Sequence, residues 1–212
     1  AVAGLVVTII LVAVLLFAVF PTRTWVQQRN ETSAKQTELA ALIAHDWGGA
    51  VAWSLANQHP ERLRQLVIVN SPHPGPFLQA LQNDSAQIAA SAYMNFLVQA
   101  DAAAQLAAHD FERLFGFLTG QDGSLQSLTR QAASPKPTWL TPAVQAQYRG
   151  VWQHGLQGGL NYYCASPLKP SKPGENTLQN LELPNSMLRI NVPTLLLWGL
   201  KDVALLPSLN EG

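Results

Sequence analysis

The chain has 212 residues, 48% of them apolar and 12% charged, and its 13 basic and 13 acidic side chains cancel. That length holds one domain with a real core and room for a subdomain. The balanced charge, with no long run of one sign, gives no argument for nucleic acid as a partner or for a polybasic membrane patch. The single cysteine, Cys164, excludes an internal disulfide and an all-cysteine zinc site, as fits a reducing compartment.

Residues 1–20 form an unbroken apolar run in which Thr8 is the one clearly polar side chain. About 20 apolar residues at ~1.5 Å rise match a ~30 Å hydrocarbon core, so residues 1–22 are expected to be a transmembrane-like helix. A signal peptide and a buried helix are the rival readings, but the run is long for a signal core and Phe20-Pro21-Thr22-Arg23 is no small-x-small cleavage site. A genuine span makes the protein membrane-associated; without it, a cytoplasmic location is expected. Residues 23–41 are polar, lack Gly and Pro, and are expected to continue as a helical linker. Their heptad seam is half polar (Trp25, Thr32 and Leu39 against Gln28, Lys35 and Leu42), which disfavours a stable coiled coil. The stretch from Phe20 to Arg29, and the order of parts over residues 1–42, resembles the septum-formation initiator family of bacterial division proteins.

From Leu42 the pattern changes. Leu42-Ile43-Ala44 predicts a short strand, and the spacing of Val51, Ala52, Leu55 and Ala56 predicts a helix over 48–58 that stops before Pro60. Leu66-Val67-Ile68-Val69 predicts a strand buried on both faces. Strand, helix and strand within about 30 residues make a βαβ unit. Residues 84–97, 101–118 and 142–163 read as helical, and residues 166–185, rich in Pro, Ser, Lys and Asn, read as a linker. Val192 to Gly199 restores a buried strand. The expected fold is α/β, a partial parallel sheet with a helical cap insert. The core with the nucleophile turn spans 42–77, cap and linker 78–185, and a last strand with an acid loop 186–212.

Most of the chemical information lies in Ala44-His45-Asp46-Trp47-Gly48-Gly49. It fits small-x-nucleophile-x-small-small, a strand-to-helix turn that holds its central residue in a strained backbone. Small neighbours let strand and helix pass closely, and the helix N-terminus offers N–H groups to developing negative charge. A carboxylate nucleophile needs no base for its first attack and suits displacement at saturated carbon, which leaves an alkyl ester. The plain alternative is that Asp46 only caps the helix; the whole sextet between a strand and a helix argues against it.

His45-Asp46-Trp47-Gly48-Gly49, then Asn57 to Leu63, then Val69-Asn70-Ser71-Pro72-His73-Pro74, resembles the epoxide-hydrolase branch of the α/β-hydrolases over residues 42–212, with Ala44 where that branch more often has Gly. The resemblance implies conversion of a small apolar epoxide and water to a vicinal diol through an ester on Asp46, without cofactor or metal. It implies that the Trp47 N–H serves the oxyanion hole and that two cap tyrosines protonate the opening ring. Tyr93 in Ser91-Ala92-Tyr93-Met94-Asn95-Phe96 matches the first, and Tyr163 the second, although Cys164 stands where Arg is usual. Tyr148 and Tyr162 are expected to pack. Trp198-Gly199-Leu200-Lys201-Asp202 resembles the acid loop, which makes Asp202 the residue that would orient a water-activating histidine. The two phenols favour an epoxide over the halide of a haloalkane dehalogenase.

That histidine lies beyond the acid in this branch, yet none of the ten residues after Asp202 is His. His45, His59, His73, His109 and His154 are poorly placed to replace it. The branch also carries a His-Gly-x-Pro loop before its nucleophile, and the sole His-Gly here is His154-Gly155. The sequence therefore reads as two protein types joined near residue 42, with a hydrolase part whose turnover is expected to be crippled. A membrane-anchored, non-catalytic division-type protein is the competing expectation from another class. Oligomeric state is not legible.

Overall fold

The computed structural model describes residues 39–119, 137–172, 174–176 and 178–210. The transmembrane-like segment, nearly all of the polar linker and the septum-formation initiator resemblance lie outside the described residues. Among the described residues no helix is long and apolar enough to cross a membrane.

Three strands form one parallel sheet in the order β1 (Ala40–His45), β2 (Leu63–Val69), β3 (Thr194–Leu197). β1 begins at Ala40, two residues before the expected start, because Ala40 and Ala41 still pair with Leu63 and Gln65. Helix α1 (Asp46–Gln58) crosses between β1 and β2. Its Ala52, Trp53 and Ala56 lie on Leu63, Leu66, Ile68 and Val192, with Leu42 and Ala44 packed alongside. Ile68 and Leu66 are the best buried large side chains of this layer, at 0% and 1% exposure. Burying a Leu or Ile contributes roughly 1.5–3 kcal/mol, so β2 and α1 anchor the sheet.

Two burial expectations need correction. β2 is not uniformly buried on both faces: Leu66 and Ile68 are inside, while Val67 and Val69 on the alternate face are half-buried. β3 is exposed along its length, with Leu195 54% accessible. The physical reason is position. β3 pairs with β2 alone among the described strands, and α1 covers only the face to which Leu66 and Ile68 point.

Between β2 and β3 comes the helical insert: α2 (Pro74–Asn83), α3 (Ser85–Ala90), α4 (Tyr93–Leu97), α5 (Ala102–Thr119), α6 (Pro142–Trp152) and α7 (Gln157–Ala165). α2 was not expected; His73 caps it by accepting the Gly75 N–H on Nδ1, and Pro74 opens its first turn. The three long expected helices are each broken or bent. The stretch 84–97 divides into α3 and α4 around Ser91–Ala92, and 142–163 divides at Gly155, whose φ of +124° only glycine adopts readily. α5 kinks where His109, Asp110 and Phe111 take positive φ. The expected linker has no long element, but it is packed: Leu168, Leu178, Leu181 and Leu183 meet Leu78 and Leu81 of α2. Gln82 of α2 donates to the carbonyls of Leu178 and Leu181.

Candidate active site

β1 delivers the chain to Asp46 and α1 carries it away. Asp46 has φ +50°, a left-handed conformation that costs an L-residue about 1–2 kcal/mol. His45 occupies the N-cap position and no side chain caps the helix, so the plain capping role for Asp46 fails. A residue held in that conformation at the sheet's C-terminal end, with its side chain exposed, is what a nucleophile turn requires.

The turn is pinned from β2. Ser71, 2% exposed, donates its hydroxyl proton to the Asp46 carbonyl at 2.8 Å, and its own carbonyl accepts the Trp53 indole N–H at 3.1 Å. A Cβ on Gly49 would collide with Cβ and Oγ of Ser71, whereas one on Gly48 would meet nothing within 4 Å. Only the second glycine of the pair is thus sterically required.

Asp46, Trp47, Tyr93 and Tyr163 line one cavity of about 80 Å³. The Tyr163 ring lies edge-on to Trp47 at 5.1 Å and to Tyr93 at 6.2 Å. Burial is the main cause that pushes the Tyr93 phenol well above the ordinary value of 10.0, followed by negative charge at Tyr163 and Asp46 and, more weakly, Asp202. Tyr163 is also raised, by burial and then by Asp46, while hydrogen bonds with Trp47 and Tyr93 oppose the shift. Both phenols therefore hold their protons beside the Asp46 carboxylate. Tyr148 is elsewhere, edge-on to Phe115 and tilted against Trp152 in the cap, and Tyr162 is 49% exposed, tilted against Trp47 at 5.5 Å.

Asp202 stands just outside the cavity wall. Its Oδ2 accepts Asn70 Nδ2 at 2.5 Å, and its Oδ1 accepts the N–H groups of Ala204 and Leu205, each at 2.9 Å. Asn70, at the end of β2 with φ +43°, also accepts the Gly199 N–H. Among the described residues no histidine bonds Asp202. His59 faces Glu61, His73 caps α2, and His154 is exposed. The described residues hold no group of three or more His, Cys, Asp or Glu able to bind a metal.

Sequence reasoning named Asp46, Trp47, Tyr93, Tyr163 and Asp202, and the first four share one cavity with the fifth beside it. It gave no role to Asn70, Ser71 or Gln87. Gln87, 0% exposed on α3, donates to the Ala204 carbonyl and accepts the Leu206 N–H, so it ties the acid loop to the insert. The signal was faint: each is a polar residue beside apolar ones, with a partner 25 or more residues distant.

A parallel sheet, a positive-φ aspartate between strand and helix, and an acid loop after a later strand describe one architecture. The family described as alpha/beta hydrolase fold matches residues 18–209. The chain belongs to that family. The match of this α/β-hydrolase begins at residue 18, so it takes in all of the stretch assigned above to a polar linker. Among curated relatives, mouse (Mus musculus) epoxide hydrolase 4 is 31% identical over 76% of this chain and 40% of its own length. Epoxide hydrolase 3 of Xenopus tropicalis is 29% identical over 80% and 42%. The hydrolase chain thus spans about 40% of the length of the curated relatives it matches. Among solved structures, an epoxide hydrolase of Bacillus megaterium with an inhibitor superposes at TM-score 0.66 and 23% identity, over 88% of this chain and 60% of that one. One from a group of novel epoxide hydrolases in metagenomes of hot environments superposes at 0.54 and 30% identity, over 82% and 55%. None of these relatives supports the septum-formation initiator resemblance.

Proposed function

We propose that this α/β-hydrolase opens epoxides through an alkyl ester on Asp46. The observation that carries the reading is a nucleophile-turn carboxylate sharing a cavity with two protonated phenols. An Asp46 carboxylate oxygen attacks a ring carbon and that carbon's C–O bond breaks. The departing oxygen takes a proton from Tyr93 or Tyr163, so no free alkoxide forms. The Trp47 N–H, in the first turn of α1 where helical amides lack intrahelical partners, is assigned the role of steadying negative charge at the carboxyl group when water later attacks it. Water then cleaves the acyl C–O bond, which frees the diol and regenerates the carboxylate, and the proton released returns to the phenolate left by ring opening.

Ester formation needs no imidazole; its hydrolysis does. Asp202 is the residue to orient such a base, but its described partners are Asn70, Ala204 and Leu205. In the chain as given, the ester therefore forms and accumulates. The two phenols favour an epoxide over a halide, because the leaving alkoxide needs a proton and a halide does not.

Intact-mass analysis of folded protein after exposure to 1,2-epoxypropane tests this. The expected result is one added epoxide per chain, located on Asp46 and absent in Asp46→Asn. An unmodified mass, or addition that persists in Asp46→Asn, would overturn the assignment.

A further inference from the structure

We infer that Ser71 is a positioning residue for the second half of the reaction: through the Asp46 carbonyl it aims and polarises the Trp47 N–H that meets the developing oxyanion. The inference deepens the reading above and rests on it. A carbonyl can only accept, so it is the Ser71 hydroxyl that donates to the Asp46 oxygen, at 2.8 Å. That oxygen and the Trp47 N–H belong to one peptide unit. The unit is planar and trans, so its C=O and N–H point in opposite directions and turn together. Whatever fixes the Asp46 oxygen therefore fixes where the Trp47 N–H points. Drawing electron density onto that oxygen also makes the N–H a stronger donor, as in any chain of hydrogen bonds.

The anchor is itself held. Ser71 is 2% exposed, its carbonyl accepts the Trp53 indole N–H at 3.1 Å, and its Cβ and Oγ fill the space that Gly49 leaves open. The peptide unit needs such an anchor because Asp46, at φ +50°, is under backbone strain that favours relaxation. Ser71 and its neighbour Asn70 thus serve the two carboxylates of the site from adjacent positions just after β2, Ser71 through the Asp46 backbone and Asn70 through the Asp202 side chain.

The two halves of the reaction separate this role from a general hold on the turn. Ring opening draws charge off the carboxylate, whereas attack on the ester builds charge on the oxygen that the Trp47 N–H meets. Hydroxylamine attacks an ester without help from an imidazole. Its nitrogen bonds to the carboxyl carbon, the acyl C–O bond breaks, the diol leaves with a proton from nitrogen, and Asp46 becomes a hydroxamate. The test is intact-mass kinetics on the full chain: the rate of ester formation with 1,2-epoxypropane, then, with the epoxide removed, the rate at which hydroxylamine converts the ester to hydroxamate. In Ser71→Ala the ratio of the second rate to the first should fall about tenfold, less than the ~10²–10³ for outright loss of an oxyanion donor. Ser71→Gly lacks the hydroxyl and eases the contact with Gly49; it should show the same fall, and it carries the test where the alanine variant does not fold. A ratio equal to the native one in either folded variant, with both rates slowed alike or neither, would overturn the inference and leave Asp46 as the nucleophile. A native ester that hydroxylamine does not attack would overturn it too, since no oxyanion donor would then act at Asp46. No ester in the native chain would instead remove the reading beneath it, and the inference with it.

Discussion

The Asp46 backbone is strained, and the strain is held by neighbours rather than by Asp46 itself. Ser71 grips the Asp46 carbonyl, Trp53 grips Ser71, and Gly49 leaves the space that Ser71 fills. The phenols show the same dependence on context. Burial and the Asp46 charge both favour the protonated form, so Tyr93 and Tyr163 remain donors up to and past the ordinary phenol value of 10.0. In the proposed reaction the protonated form is the one that acts, and its pKa is raised. The rate of Asp46 esterification should therefore show no loss from the phenols below about pH 10, and should fall as pH rises through the higher folded values. Tyr163→Phe leaves Tyr93 in place and should slow esterification about 10- to 100-fold. The double variant with Tyr93→Phe should approach the full ~10²–10⁴ attributed to general acid catalysis. Initial rates of mass gain across a pH series measure both. A double variant as fast as the native chain would remove the tyrosines from the mechanism.

At the scale of elements, what the sequence made legible were features whose cause is local. β1, α1 and β2 follow from apolar runs, helical spacing and a proline, and the nucleophile turn from six consecutive residues. The insert was legible as helical but not in its breaks, because amphipathic spacing runs on through Ser91–Ala92 and the positive-φ residues at 109–111 carry no glycine to announce them. α2 was missed because its cap is unusual. His73 Nδ1 accepts the Gly75 N–H at 3.1 Å, with the ring edge-on to Trp53 at 5.2 Å. Burial lowers the His73 pKa below the ordinary 6.5, against a hydrogen bond with the Met187 backbone that raises it. Only the neutral ring can accept at Nδ1, and a lowered folded value means that the unfolded chain binds the proton more readily. The stability this cap contributes is thus present above pH 6.5 and is lost as pH falls through 6.5 towards the lower folded value. A cap is worth about 1 kcal/mol. Asn caps without titrating, so in His73→Asn the drop in Tm between pH 7.5 and pH 5 should be smaller than in the native chain. Equal drops would mean that His73 does not titrate as its burial requires.

Across the whole molecule the three apolar clusters are separate, and long-range polar ties and the contact of Trp47 with Tyr162 and Tyr163 connect the parts around them. Asn57 of α1 reaches the carbonyls of Ser186 and Arg189, Gln82 of α2 reaches Leu178 and Leu181, and Gln87 of α3 reaches the acid loop. Such ties were illegible in the sequence because each spans roughly a hundred residues or more and uses an amide indistinguishable from any surface amide. Gln87 is the most consequential. Its amide donates to Ser91 Oγ and the Ala204 carbonyl, each at 2.8 Å, and accepts the Leu206 N–H at 2.9 Å, flanking the two amides that bind Asp202. A buried partner left unsatisfied costs about 1–3 kcal/mol, and the Gln87 side chain satisfies backbone groups on both sides of Leu205. Gln87→Met keeps the length of the side chain and removes every tie. It should lower the stability of the folded chain by about 2–4 kcal/mol, since at least two backbone groups lose their partners together. Urea unfolding followed by Trp fluorescence measures this, with the slope unchanged and the midpoint lowered. A midpoint within error of the native chain would mean that the acid loop holds its place without the insert, and that Asn70 with the loop's own amides suffices to fix Asp202.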